Sequence, residues 1–567
     1  MRVLGISAFH RDSAAALCID GVLVAAAQEE RFTRKPLDNG LPRRAARFCL
    51  DRAAIAAADL DALVFHEKPL RKFERTLATQ LQAFPRSART FSRDLFHWLG
   101  DRLWIRTRLA EEFGVAPEKV RFVEHARAHA ALAFYSSPHD EAAVLVVDDL
   151  GEWATTTLAR GSGATLTSLE ELHFPHSLGL WLSAYTQFLG FAPGLDEERV
   201  EALAHLGSPR YEREVTSTAP EGDGAAFTID PRCFRFAFDG EQLFEREFEA
   251  RFAASYGPRR AAGHRLRIDA ELDARDADLS ASVQRVLESR VLGLARALRE
   301  RTGCDVACLA GEVFRNRSLV ARLASDGPFR ELFVGPALGE AGVAAGAALE
   351  ESLSLGAPRC AQDPTLALGA AASSDAGAGD GSESGPEDLA ERLCAGQTVA
   401  WVRGALELGP ESVASRLVLG AAGGFEARER LLGALQRSES YLPIRLLVAA
   451  ELAAEWIELP ASARQAAHVG GSMARARDEL RRHAPSAVLA SGAVWAQLVD
   501  RGRDAELHEV LLRMNRALGA PLLLAASFHL RSQPIVRTQA DAVDAFRRSS
   551  LDALVVDGRC FAAAALI

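Results

Sequence analysis

An α/β fold in two domains, the larger of them two-lobed, is predicted from three features of the sequence. A strand–bend–strand unit opens the chain, and a second unit of the same plan recurs near residue 142. A tract of small and polar residues then separates the larger part from a smaller one, where strands again alternate with helices. At 567 residues the chain is also too long for a single core.

The elements follow in order. Residues 3–7 are apolar enough for a buried strand, Asp12 and Ser13 lie on the bend that follows, and residues 14–19 pair back. Asp20-Gly21 between two apolar runs is a strong hairpin signal, because Gly tolerates the positive φ that a tight turn needs. A third strand then leads into the charged run EERFTRK. Residues 142–161, AAVLVVDDLGEWATTTLARG, repeat strand, Asp-bearing bend, strand and Gly turn. One bend per lobe with nucleotide between them is the plan of a two-lobed actin/Hsp70-like (ASKHA) domain. Residues 217–226 read as a loop, and residues 280–301 as a helix with apolar positions three and four apart. Residues 304–309 form a strand entering Gly311; residues 332–334 form another, leading through Gly339 into an Ala-rich helix at 342–349.

The tract at 370–386, AAASSDAGAGDGSESGP, cannot bury enough surface to offset the entropy of ordering. It divides an actin-like domain, 1–368, from a smaller α/β domain, 388–567, through a flexible linker at 369–387. In the smaller domain residues 398–403, 487–489, 521–525 and 551–556 read as strands.

Composition excludes several functions. The formal charge of −10, from 76 acidic and 66 basic residues, argues against a general nucleic-acid or acidic-membrane surface. No Lys follows Lys119, so no amine serves as nucleophile or phosphate ligand in the later domain. The eight cysteines form no CxxC pair and read as core thiols of a reducing compartment. No signal peptide or run long enough to span a bilayer is visible, and a cytoplasmic location is expected.

His125 and His129, in VEHARAHAALAF, are four residues apart and share one face if the segment is helical, so both imidazoles can reach one metal ion. Two partly buried surface histidines would give the same spacing. Asp148, at the end of the apolar run 144–147, brings a carboxylate to the inter-lobe cleft.

Together these strings resemble the O-carbamoyltransferases of nodulation-factor and antibiotic biosynthesis. That family reads close to GISAFYHDSAAAL where this chain has GISAFHRDSAAAL, HHxSH for HARAH, and VDGVGEW for VDDLGEW. The resemblance spans nearly the whole chain and implies an ASKHA-type N-terminal domain followed by a YrdC-like C-terminal one. It implies a divalent metal ion, iron or similar, on His125, His129, Asp148 and Glu340, the last matched through PALGEAGVAAGAA, where the family has Asp. It also implies nucleotide binding at Asp12, Ser13, Gly311, Asn316 and Gly339. The family string GGVALNCVAN is GEVFRNRSLV here, so Glu312 replaces a glycine; a carboxylate facing phosphates disfavours ATP.

In the smaller domain the family's GRMEFGPRALGNRSIL is GALELGPESVASRLVL, and LNTSFNxxGEPIV is LAASFHLRSQPIV. Arg416 and Ser527 remain as implied carbamoyl phosphate ligands, while Ala405 and Glu411 replace two arginines. Two lost charge-assisted contacts amount to about 3–6 kcal/mol, or about 10²- to 10⁴-fold in anion affinity. The family reaction joins carbamoyl phosphate and ATP into a carbamoyl-adenylate, whose carbamoyl group an acceptor hydroxyl captures. Because losses fall on polar motif positions while the packing frame persists, the expectation is a catalytically impaired member of natural-product or glycan biosynthesis. It would act as a homo-oligomer or as partner and regulator of an active carbamoyltransferase paralogue, and no catalytic residue is assigned. The alternative is an active, divergent O-carbamoyltransferase acting on a small-molecule acceptor.

Overall fold

The computed structural model describes residues 1–100, 102–222, 227–236, 240–257, 273–372, 382–437 and 441–562. The first sheet contains β1 (Arg2–Ser7), β2 (Ala14–Ile19), β3 (Val22–Gln28), β4 (Ala62–Phe65) and β5 (Val120–Phe122), in the order β3-β2-β1-β4-β5. Here β2 is antiparallel to β1 and β3, while β4 joins β1, and β5 joins β4, in parallel. Asp20 and Gly21 both take positive φ, 49° and 84°, and Ile19 faces Val22 across the turn. That is the twist-matched two-residue hairpin that the Asp-Gly pair predicts.

The second sheet contains β6 (Glu141–Val147), β7 (Ala154–Ser162), β8 (Thr165–His173), β9 (Val306–Ala310) and β10 (Glu331–Val334), in the order β10-β9-β6-β7-β8. Adding five to each label of the first sheet reproduces both its strand order and its pairing directions. The large domain is therefore a duplicated, two-lobed ASKHA fold.

The helices His125–Tyr135 and Glu340–Ser354 lie between the lobes. Both are rich in alanine and almost wholly buried, since small side chains let their backbones approach closely. A Cβ at Gly346 would lie 1.9 Å from the Ala128 carbonyl oxygen, and one at Gly5 of β1 would lie 2.0 Å from that of Ala344. Glycine is thus required where this wedge meets its neighbours.

The smaller domain is one ten-stranded mixed sheet with a hydrophobic core on each face. Its strands are β11 (Ser382–Glu383), β12 (Val399–Val402), β13 (Arg416–Ala421), β14 (Arg445–Ala449), β15 (Ile457–Glu458), β16 (Ser472–Ala476), β17 (Ala493–Val499), β18 (Leu522–Ser527), β19 (Ala553–Val556) and β20 (Arg559–Ala562). The order is β11-β20-β19-β12-β13-β18-β14-β17-β16-β15. Residues 487–489 are not a strand. The chain turns there through the 3-10 helix Pro485–Ala487, and Val488 makes an isolated bridge to Val494. Strands β13, β14, β16 and β17 escape a reading by pattern because polar residues, among them Arg416 and Arg445, are buried in them.

Part of the tract at 369–387, residues 373–381, lies outside the described residues. Its flanks are ordered: Gly369 and Ala372 donate to the carbonyls of Leu406 and Gly404, and the helix Pro386–Cys394 begins inside its C-terminal end. Residues 223–226 of the expected loop also lie outside the described set; the helix Glu212–Thr218 ends within that loop. Among the described residues no helix is long and apolar enough to cross a membrane.

Gly346→Ala is expected to destabilise the large domain by about 1–3 kcal/mol, because the helix pair must separate to admit one methyl group. Chemical denaturation checks this. An unchanged midpoint would mean that the helices give way without cost.

Candidate functional site

The two bends face each other across the inter-lobe cleft, and the wedge helices bring ligand-type side chains to the same place. His125 and His129 share a face of one helix, Asp148 follows β6, and Glu340 opens the other helix. One ligand atom from each of the four lies within 4.8 Å of all the others. All four residues are buried. His125 Nε2 is 3.0 Å from Asp148 Oδ2 and 3.5 Å from Glu340 Oε1, and His129 Nε2 is 3.5 Å from Asp148 Oδ2. Neither Glu340 oxygen nor His129 Nε2 has a hydrogen-bond partner. Buried polar atoms left in that condition are costly, and an ion satisfies them together. Imidazole and carboxylate donors suit a divalent first-row metal, so the residues present fit such a group.

His66, which follows β4, was not singled out from sequence. Its Nε2 lies 3.2 Å from the Ala8 carbonyl, which can only accept, so this nitrogen carries the proton. Burial holds the ring neutral, down to about 4, despite Glu67 nearby. His66 Nδ1 therefore accepts from His125 Nδ1, 3.2 Å away, and His125 Nε2 is aimed at the carboxylates. Burial opposes charge on His125, but Glu340 and Asp148 outweigh it and push the imidazole up to about 10. Burial also opposes charge on the two carboxyls. The imidazoles of His129 and His125 nevertheless hold Asp148, and those of His10 and His125 hold Glu340, well below the carboxylate range. The Glu152 carboxylate accepts the His125 backbone N–H at 3.1 Å and fixes the start of the helix.

Beside this cluster is a cavity between the large and small domains. Six carboxylates line it, from Asp149, Glu197, Glu198, Glu201, Glu312 and Glu411, against three guanidiniums, from Arg11, Arg315 and Arg317. Of the five nucleotide candidates, Asn316 lines the cavity. Its amide is engaged, capping the helix Arg317–Asp326 through Leu319 N–H at 2.8 Å and pairing with Gln284 at 2.7 and 3.1 Å. Asp12 accepts from Gln28 at 2.5 Å; burial and Glu30 push its carboxyl up to about 7. The Ser13 hydroxyl is buried without a partner. Gly311 takes φ 98°, and a Cβ there would lie 2.3 Å from the Val147 carbonyl oxygen. Gly339 precedes the helix Glu340–Ser354, and a Cβ on it would lie 2.4 Å from Glu312 Oε1. That Glu312 oxygen accepts from Glu340 N–H at 3.3 Å. A side-chain carboxylate thus occupies the helix N-terminus, the place suited to an external anion.

In the smaller domain Arg416 and Ser527 are not brought to one site. Arg416 is fully buried and donates to the carbonyls of Ala370, Arg403, Gly404, Ser415 and Arg537, so its guanidinium holds chain segments together. Ser527 instead lines a pocket with Arg317, Arg437 and Arg445. Glu411 sits among them, accepting from Ser527 Oγ at 2.6 Å and lying 3.8 Å from Arg317. Burial works against its charge, yet Arg317 and Arg445 bring its carboxyl down to about 2. Arg317 and Arg445 also lie over the Trp495 ring, at 3.9 and 5.3 Å from its centroid.

Two family models divide the chain between them, carbamoyltransferase N-terminus over residues 2–349 and carbamoyltransferase C-terminus over residues 390–562. The chain belongs to the carbamoyltransferase family. It is 34% identical over 606 aligned residues to the uncharacterized protein sll1178 of Synechocystis sp., covering 98% of this chain and 95% of that protein. It is 31% identical to nodulation protein NolNO of Sinorhizobium fredii, covering 97% of this chain and 78% of the relative. Identity to nodulation protein NolO of Bradyrhizobium diazoefficiens is 28%, over 76% and 78% of the two chains.

Within this carbamoyltransferase-family chain, the structure gathers His125, His129, Asp148 and Glu340 and disperses Arg416 from Ser527. His66, Asp149, Arg317 and Arg437 are the residues that sequence reasoning missed. For His66 a signal existed, because a polar HEK run directly follows the apolar strand ALVF.

Raising the His125 pKa from its ordinary 6.5 to about 10 has a defined sign. In ion-free protein it contributes stability that is fully present below pH 6.5 and is lost as pH rises through about 10. The melting temperature of chelator-treated protein should therefore fall more steeply over that window than that of His125→Gln. Equal slopes would remove His125 from the charge balance of the cluster.

Proposed function

We propose that this carbamoyltransferase-family protein is impaired in ATP and carbamoyl phosphate chemistry and serves as a partner or regulatory subunit of an active carbamoyltransferase in natural-product or glycan biosynthesis. The observation that carries this reading is the position of two carboxylates. Glu312 takes the helix N-terminus that faces the cavity, and Glu411 takes the centre of the arginine cluster. Both are sites where a donor phosphate would need positive charge and open space. The surplus of carboxylates around the cavity further disfavours a nucleotide triphosphate.

His125, His129, Asp148 and Glu340 would hold a divalent ion, iron or similar, which when bound supplies Lewis-acid polarisation of an oxygen ligand. The chain's own residues orient that site: Ala8 sets the His66 tautomer, and His66 sets that of His125. The active alternative, a divergent O-carbamoyltransferase, draws support from the convergence of Arg317, Arg437 and Arg445 beside Ser527.

Purified protein incubated with ATP and carbamoyl phosphate should release no pyrophosphate above background, and should change the rate when added to an active nodulation-type carbamoyltransferase. Pyrophosphate release by the isolated chain would overturn the impaired reading in favour of the active one. Calorimetry on Glu411→Gln provides a second check. Removing the resident carboxylate should tighten inorganic phosphate binding about 10- to 100-fold, the size of one charge-assisted contact. Unchanged binding would show that Glu411 does not hold the anion position.

A further inference from the structure

A second group of ligand-type atoms adjoins the first and shares one residue with it. His10, Asp149 and Glu340 each offer an atom within 4.8 Å of the other two. His10 Nδ1 is 3.0 Å from Glu340 Oε1, the same oxygen that lies 3.5 Å from His125 Nε2 on the other side. Glu340 therefore stands between an imidazole of each group. Its side chain is 1% exposed, and both its oxygens, like His10 Nδ1, lack a hydrogen-bond partner. One ion on the first group leaves His10 Nδ1 with its contact to Glu340 Oε1 alone and engages no atom of Asp149.

We propose that the chain binds two divalent metal ions, with Glu340 as a bridging carboxylate, His125, His129 and Asp148 on one ion, and His10 and Asp149 on the other. The longer glutamate side chain suits a bridge, because two ions about 3.5–4 Å apart can share its carboxylate. The second ion faces the inter-domain cavity, since Asp149 lines that cavity whereas His125 and His129 do not. There it supplies positive charge to a lining rich in carboxylates and an open coordination position for an oxygen-bearing ligand.

Arg11 is the competitor. Its guanidinium bonds Asp149 Oδ2 and the Gly194 carbonyl, while Asp149 Oδ1 accepts from Leu150 N–H at 2.7 Å. The second ion thus displaces Arg11 from Asp149, which makes this position weaker than the first and sensitive to Arg11. If Asp149 served only to pair Arg11, removing the guanidinium would tighten the binding of no ion.

The inference rests on the first cluster being a metal centre, and the experiment separates the two claims. Chelator-stripped full-length protein is titrated with Mn(II), with bound ions counted by equilibrium dialysis and elemental analysis and the bound state followed by electron paramagnetic resonance. Two ions per chain with an exchange-coupled spectrum are expected. Asp149→Asn and His10→Ala should each leave one ion with an uncoupled spectrum, and thermal melting verifies that they fold. Arg11→Gln should tighten the weaker ion about 10-fold, the effect of removing one charge-assisted competitor. One ion per chain in the unaltered protein and in Arg11→Gln would overturn the second site alone. No bound ion in either would overturn the first cluster's reading as well.

Discussion

Gly346 meets the Ala128 carbonyl at a distance that no side chain would permit, and Gly5 meets Ala344 in the same way. This close contact of two buried helices and one strand sets the spacing of the lobes. It fixes how far the first two turns of one helix, bearing His125 and His129, lie from the first residue of the other, Glu340. A separation one ångström greater would stretch the 3.5 Å contact of Glu340 Oε1 with His125 Nε2 beyond ion-pair range. The chemistry of the cleft thus depends on backbone packing among small residues.

Charge in the molecule is arranged around buried groups of opposite sign. Imidazoles keep Asp148 and Glu340 ionised, the carboxylates keep His125 charged when no ion is present, and guanidiniums keep Glu411 ionised. Each of these groups would be expensive to bury alone. The same logic applies to carboxylates seated among donors: Glu312 accepts from the N-terminus of the helix Glu340–Ser354, and Glu411 accepts from Ser527 beside Arg317. Arg416 shows the reverse case, a cation whose donors are all taken by carbonyl oxygens and which therefore holds structure.

Much of the large domain was legible because its signals are local. The Asp20-Gly21 turn, the alternation of apolar runs with Asp-bearing bends, and the repeat at residue 142 all follow from short-range backbone preferences. The smaller domain was harder to read. Its central strands carry Arg416, Arg445 and Gln497 in buried positions, which breaks the apolar pattern that marks a strand. Residues 487–489 illustrate the opposite error, an apolar triplet that starts on the last residue of the 3-10 helix Pro485–Ala487 and makes only an isolated bridge at Val488.

The sequence by itself determined the duplicated plan, the shared helical face of His125 and His129, and the replacement of motif glycine and arginine by Glu312 and Glu411, since these depend on neighbours in the chain. Only the tertiary structure decided that His66 orients His125, that His10 and Asp149 adjoin Glu340, and that Arg317 crosses from the large domain to join Arg437 and Arg445. Those contacts join residues tens to hundreds of positions apart. Their distances are set by how helices and sheets pack, a property that no local pattern of residues encodes.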